Sequence, residues 1–587
     1  MPPSPKNDQS ARGDREGTMG GRLYVLICAA ALVAAACGSP GDGPGDGTQT
    51  SRVNSVGREL PADAAPLSEQ YIRLSMLEPS TLDVGISLFD AQFNAFLFES
   101  LLVFDEDMEI RGAAAESWSV ADDHVTWTFT IRAGAKWSDG RPVTAHDFEW
   151  SFRRLLDPAH ANIFAYFYYP IKGARAFNTG QTSDPQAVGV RAVDDRTLVI
   201  ETEEPCSHFP YILTFFTSVP APRWQVEKYG IRWSEPEYCV SNSTWRLASW
   251  DKNVSMTYAL NSHYNGPWKG YLERIEFTFI LPGWRGLPAY ENGEFDRIGV
   301  MGPDYHHARM DPVLSRELIT YPNFGTYYTI FRTREPPFDN IRLRQALAHA
   351  IDRESICNVV LGGAATPAYG MLPKGFPGYQ AERIRAYQAF DPELARQRLA
   401  EAGYPEGKGL PPLELWVRGQ PPTPDEWNVV VAMQQMFEDH LDIEVNLRQQ
   451  STNAFNAFMR DHEIPWGFLW FNMDYPDPSD MIAVPWRSQP AGSGRQDWIH
   501  EEFDRLVDAA AREFDEEKRV AMYQDAEVIL AEQAAGVFLH NMVNATLSKP
   551  WVLGIEENRY GDRRWSGFAP SFATLYIGET GRDSGRR

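Results

Sequence analysis

The chain is predicted to be α/β with more than one sheet. Three observations carry this expectation. A period-2 strand runs into a capped helix at 125–156, further blocks alternate short strands with helical periodicity, and no internal repeat is found. Its 587 residues are too many for one hydrophobic core and imply two or more domains. A hydrophobic content of 43% places it among folded globular chains and not disordered ones.

In "VTWTFTI" (125–131), Val125, Trp127, Phe129 and Ile131 alternate with threonines, the pattern of a half-buried strand. "WSDGRPVTAHDFEWSFRRLLD" follows. Asp139-Gly140 makes its turn, and Thr144 N-caps a helix with Asp147 in the place of the usual Glu of a capping box. Phe148, Phe152, Leu155 and Leu156 then recur at helical spacing. "VGVRAVDDRTLVIETEEP" (188–205) reads as two strands joined at Asp-Asp. "DNIRLRQALAHAIDRESICNVVLGG" (339–363) reads as a helix pair opened by Asp339 and Asn340 and closed by Gly362-Gly363. A helix at 391–407 ends at Gly403, and 501–534 supplies two more.

Charge and composition narrow the function. With 55 Lys+Arg against 79 Asp+Glu, a formal −24, the chain lacks the basic field that nucleic acid requires. Aromatic residues make up 13%, with 18 Trp; packed cores account for most, and the remainder are available to line a concave binding surface. The sequence has no CxxC, no paired Cys/His ligand spacing and no HExxH, so neither a metal nor a cofactor is expected. His306-His307 is read as a solvated pair in a strand or extended loop, where neighbours point apart.

The N-terminus reads as an export signal. In "MGGRLYVLICAAALVAAACGSPGDGPGDGTQT" one Arg precedes an apolar run from Leu23 to Ala36 that ends in small residues before Cys37. The run is short for a membrane span and has the proportions of a signal-peptide core. Small residues directly before Cys resemble a bacterial lipobox, although Ala34 stands where Leu is more usual. The reading is therefore a signal at 1–36, with Met19 as an alternative start, lipidation at Cys37, and a flexible tether at 37–61. Cys206, Cys239 and Cys357 remain; spacing leaves a Cys206–Cys239 bridge open.

One carboxylate stands apart. "FLWFNMDYPDPSD" (468–480) delivers Asp474 at the end of a large apolar run, where a charge without a partner is expensive. By residues alone Asp474 caps the Tyr475–Ser479 turn, pairs with an Arg of the protein, or awaits a positive group from a ligand.

Several stretches carry a resemblance. "AAESWSVADDHVTWTFTIRAGAKWSDGRPVTAHDFEWSF" (114–152) is similar, almost position by position, to the signature of the peptide/nickel family of bacterial ABC-transporter solute-binding proteins. Matches continue in "LFESLLVFDED" (97–107), "PPFDNIRLRQALAHAIDRESI" (336–356), "AEAGYPEGKGLPPLEL" (400–415), "DYPDPS" (474–479) and "VNATLSKPWVLGI" (543–555). Together they span about residues 70–575, and their order most resembles the oligopeptide-binding branch.

The resemblance implies a two-lobed periplasmic-binding-protein-like fold with a hinge and an extra inserted subdomain. Mapped here, lobe I is discontinuous (62–90, 214–320 and 541–587), the inserted subdomain of lobe I is 91–213, and lobe II is 321–540. The family signature falls in the subdomain and is read as structural. The resemblance also assigns roles. Asp474 would accept the ligand's α-amino group, Trp470, Phe471 and Asn472 would supply a strand beside a peptide, and Glu78 would lie near the same amino end. Three departures stand out. Asn472 and Gly325 replace a Cys pair frequent in the branch, Phe468 and Val360 replace basic residues, and "SNSTWRL" (241–247) replaces a Gly-rich turn.

The function implied is an extracytoplasmic lipoprotein, on the periplasmic or cell-surface face of a bacterial membrane. It would act as a monomer that binds oligopeptides between its lobes and delivers them to ABC-transporter permease subunits. A nickel chelate, haem, a sugar or a signalling peptide are the alternative ligands. An exported hydrolase using Asp474, Glu78 or Asp477 as acid and base is the weakest alternative, because the chain has no G-x-S-x-G elbow and no metal set.

Overall fold

The computed structural model describes residues 52–86, 96–105, 108–280, 286–419, 423–488, 496–555 and 572–580. The signal reading, Cys37 and the tether up to residue 51 lie outside them. Among the described residues no helix is long and apolar enough to cross a membrane.

Three larger sheets organise these residues, beside two small two-stranded ones. In the first, Tyr71–Met76 runs parallel to Arg274–Phe279, followed by the antiparallel strands Ser255–Leu260 and Trp245–Asp251. The second is Ala115–Val120, Thr126–Ile131, Thr197–Glu201 and Val190–Ala192, antiparallel throughout. Its Thr126–Ile131 strand buries Trp127, Phe129 and Ile131, as period-2 spacing predicts. The helix Ala145–Leu156 follows, opened by the expected box: Thr144 N–H donates to Asp147 Oδ2 at 2.8 Å. Phe148, Phe152, Leu155 and Leu156 are buried, so this helix seals the edge of the same core.

The third sheet has eight strands and positions the site. Its long strand Gly536–Ser548 pairs with Gly325–Phe331 at one end, and with Leu318–Pro322 and Arg297–Gly299 at the other. Leu318–Pro322 and Gly325–Phe331 are nearly consecutive, so two lengths of chain run side by side, antiparallel, along this strand. Trp466–Asn472 lies next to Gly325–Phe331, followed by Leu413–Arg418 and Val445–Gln450. Each face of this sheet packs its own core. Trp466 and Phe468 enter one, and Leu469, Phe471 and Met473 enter the other.

The predicted helix pair is present. Asn340 caps Ile341–His349, accepting from Arg342 N–H at 2.9 Å. Asp352 caps the second helix, which widens over Ile356–Val360 and stops at Gly362 (φ 57°) and Gly363 (φ 81°), where a left-handed turn favours glycine.

One expectation is corrected and one open question is answered. His306 and His307 lie on the helix Gly302–Met310, not in a strand or extended loop; neighbours on a helix are about 100° apart and still diverge. Cys206 and Cys239 form no bridge. Cys206 instead sits beside the His208 ring, Sγ 3.6 Å from Nε2, and burial pushes both thiols up to about 12.

Candidate functional site

The site is built from the end of one strand and the turn after it. Trp466–Asn472 pairs antiparallel with Gly325–Phe331, setting Trp470 opposite Tyr327 and Asn472 opposite Gly325. Met473 N–H donates to Phe324 O at 2.8 Å, and Arg332 N–H donates to Pro465 O at 2.9 Å. Bonded residues alternate in an antiparallel pair, so the odd-numbered residues serve this ladder. The peptide groups of Phe468, Trp470 and Asn472 therefore point the other way. On that side the parallel neighbour Leu413–Arg418 is in register only at Trp416↔Gly467 and Val417↔Phe468. Among the described residues no strand lies beside Trp470 and Asn472 there, and the result is a short open edge in the middle of a sheet.

Side chains around this edge differ in role. Trp470 is 36% exposed, its ring 6.2 Å from that of Tyr327, with the Arg418 guanidinium 5.8 Å above it. Phe471 is buried in the core, and its peptide group faces the Gly325–Phe331 ladder; it supports the edge from behind. Asn472 faces a glycine, and a Cβ on Gly325 would stand 3.0 Å from Asn472 Oδ1. The two positions that carry a Cys pair in much of the branch are thus direct neighbours here, filled by an amide and a hydrogen. Phe468 is buried, with its ring 5.8 Å from Tyr327, and adds no cation to the edge.

Two residues past Asn472 comes Asp474, half-buried. Its N–H donates to Asp480 Oδ2 at 2.7 Å. Asp480 is fully buried, and its Oδ1 has no hydrogen-bond partner. Burial first, and then the charge of Asp474, hold the Asp480 carboxyl well above the usual carboxylate range. The third acid of the turn, Asp477, makes an ion pair of 2.8 Å with Arg519, the two side chains 1% and 6% exposed. The cation inside this turn is thereby taken by Asp477. Tyr475 anchors the turn from outside, its ring 6.0 Å from Phe167, 6.3 Å from Tyr211 and 6.4 Å from His208.

Glu78 lies elsewhere, just beyond the strand Tyr71–Met76 of the first sheet. It accepts from Trp250 Nε1 at 2.8 Å and from Asn253 N–H at 3.1 Å, which ties it to the turn of the neighbouring hairpin. Trp470, Phe471, Asn472 and Asp474 thus form one continuous unit, and Glu78 belongs to another. Sequence reading missed Asp480 and the Asp477–Arg519 pair; the resemblance gave residues 470–472 the strand beside a peptide, but not the reason that its edge is open. Asp480 had a signal, as the last of three acids spaced three residues apart, Asp474, Asp477 and Asp480, at the start of a new turn. A separate cavity of about 1010 Å³, lined by Asp83, Trp150, Arg154 and Ile231 among others, includes none of the strand residues. Its Arg154 is already paired with Asp83 at 2.6 Å and with that contact spends its charge.

Comparison with known proteins agrees with this architecture. The chain is 30% identical over 464 residues to the periplasmic oligopeptide-binding protein OppA of Escherichia coli (strain K12), covering 78% of this chain and 84% of that protein. It is 28% identical over 507 residues to the probable deoxycholate-binding periplasmic protein YgiS of the same organism, covering 84% and 92%. The solved structure of the Escherichia coli murein tripeptide binding protein MppA superposes with a TM-score of 0.74 at 27% identity, covering 88% of this chain and all of that one. The fold is the two-lobed α/β fold that the motifs implied. A family profile, that of the bacterial extracellular solute-binding proteins, family 5 (middle), matches residues 109–493. The chain belongs to the bacterial extracellular solute-binding proteins of family 5.

Proposed function

We propose that this solute-binding protein is a receptor for oligopeptides, which it holds between its two lobes and hands to the permease subunits of an ABC importer. The open edge at Trp470 and Asn472, ending two residues before Asp474, carries this reading. An extended peptide adds to such an edge through main-chain hydrogen bonds, which recognise it without reading its side chains. The ammonium at its amino end then meets the Asp474 carboxylate at charge-assisted hydrogen-bond distance. Trp470 and Asn472 supply the edge, Phe471 backs it, and Glu78 closes the amino end from the facing lobe.

The lobes follow the boundaries 62–90, 214–320 and 541–587 for the first, with 91–213 inserted, and 321–540 for the second. Both crossings then fall where Leu318–Pro322 and Gly325–Phe331 lie beside Gly536–Ser548, and a paired crossing suits a hinge. The chain acts as a monomer with no cofactor, and Cys37 carries the lipid that tethers it outside the cytoplasm. Replacing Cys37 by Ala should move the protein from the membrane to the soluble fraction; unchanged membrane association would contradict the anchor.

Two relatives of similar identity have names that point to different solutes, an oligopeptide and deoxycholate. A steroid acid has no use for an open strand edge or for an ammonium-seeking carboxylate, which favours the peptide. Incubating purified protein with mixed peptides, or with deoxycholate, and following melting temperature and peptide masses separates the readings. Peptides should stabilise the protein and be returned intact. Stabilisation by deoxycholate alone, or shortened peptides, would overturn the proposal.

A further inference from the structure

Four arginines are buried among the described residues; two have all three nitrogens occupied, and a third, Arg519, leaves its Nε unpartnered but has its charge met by a carboxylate. Arg344 (4% exposed) donates to the carbonyls of Phe338, Gln533 and Ala534. Arg353 (1%) donates to those of Ala368, Gln388 and Phe538. Arg519 pairs with Asp477. Arg297, at 2% exposure, differs. Its Nε and Nη2 are buried with no hydrogen-bond partner. Burying a guanidinium is costly unless its charge and its N–H groups are both satisfied.

The surroundings show what would satisfy it. Arg297 is in register with Ser548, and directly opposed residues share a face of the sheet. The Ser548 hydroxyl is also buried and unpartnered. Two pairs along, and so on the same face, is Gly299↔Thr546. A Cβ on Gly299 would meet nothing within 4 Å, so the face opens toward solvent there. Thr546 Oγ1 lies 3.2 Å from the Tyr321 hydroxyl on the same side.

Among the described residues no carboxylate is set against the guanidinium. The neighbouring Asp296 accepts from Arg73 at 2.8 Å and from Trp551 Nε1 at 2.9 Å. Glu317 accepts from Tyr290 at 2.6 Å and from Lys549 at 3.3 Å. The ionisable groups that face Arg297 are Tyr321 and Tyr290, and burial pulls its own pKa down to about 10. The idle nitrogens, Nε and Nη2, form the edge of the planar fork that fits a carboxylate through two parallel bonds.

We propose that Arg297 and Ser548 form a buried anion site that takes one small carboxylate. Its two oxygens accept from Nε–H and Nη2–H of Arg297, and the Ser548 hydroxyl donates to one of them. The site lies on the long strand beside the proposed hinge, and it does not depend on the peptide reading of the Asp474 edge. Its occupant is either a free small carboxylate or the carboxyl group of a bound solute.

Acetate is the probe, titrated into the peptide-free full chain at constant ionic strength set by a bulky sulfonate buffer salt. The melting temperature of the original protein should rise and saturate. Arg297→Met should lose that response, and without acetate it should be at least as stable as the original, because it removes a buried charge that lacks a counter-ion. Ser548→Ala should keep the fold and raise the half-saturating acetate concentration about tenfold, the worth of one hydrogen bond to a charged group. That second variant decides the matter if Arg297→Met does not fold.

No saturable response in the original protein would overturn the site. So would the same response in Arg297→Met, or an unchanged half-saturation in Ser548→Ala. A peptide that displaces acetate while its C-terminal amide does not would assign the occupant to the solute's own carboxyl group; displacement by neither would assign a free small carboxylate.

Discussion

Asp474→Asn should weaken peptide binding by about 3–5 kcal/mol, on the order of a few-hundred- to a few-thousand-fold in Kd. The substitution keeps the shape of the side chain and its hydrogen-bonding capacity but removes the charge that an enclosed ammonium needs. The fold should survive. Asp474 contributes its N–H, not its side chain, to the bond with Asp480, and Asn retains that N–H. The charge of Asp474 also raises the pKa of buried Asp480, so the variant relieves a like-charge repulsion in the empty protein. Calorimetric titration with one tight-binding peptide measures the loss. An affinity within about threefold of the original would place the ligand's amino end elsewhere.

Asp477→Asn should act on stability instead. Asp477 and Arg519 are 1% and 6% exposed at the side chain and 2.8 Å apart, so the variant leaves a guanidinium buried without its counter-ion. Breaking one partner of such a pair costs about 3–5 kcal/mol. Asn can still accept from Ser479 N–H, which Asp477 Oδ1 does now at 3.0 Å, so the loss should report the charge and not the turn. Adding Arg519→Met to Asp477→Asn should recover a large part of the loss, since the double variant buries no net charge. Denaturant unfolding of the three variants checks this. A double variant that is as unstable as the sum of the singles would mean that the two side chains act independently.

How far the sequence could be read follows from how local each feature is. The Thr126–Ile131 strand, the Thr144–Asp147 box and the helix pair that ends at Gly362-Gly363 depend on neighbours in the chain, and period and capping chemistry locate them. The place of Asp474, at the end of an aromatic strand and half-buried, follows from the same pattern. What stayed hidden is set by distant residues. The edge at Trp470 and Asn472 is open because Leu413–Arg418 stops its register at Phe468, and nothing in 466–472 records where a strand 50 residues away ends. Arg519 reaches Asp477 across 42 residues. His306 and His307 were misplaced because a polar pair followed by alanine carries little periodicity, and the helix Gly302–Met310 buries only Tyr305 and Ala308. The Cys206–Cys239 question was open in sequence for the reason that the fold resolves it: only the fold shows that both are free thiols.

The most direct test of the central claim, that a peptide's amino end is received by Asp474, is the coupling between two changes that remove the same contact. Affinities are measured by calorimetry for a peptide and its N-acetylated form, each against the original protein and Asp474→Asn. Acetylation should cost the original protein about 3–5 kcal/mol and the variant much less, because the interaction is already gone. If the two losses add in full, Asp474 is a turn residue and the ammonium is held elsewhere.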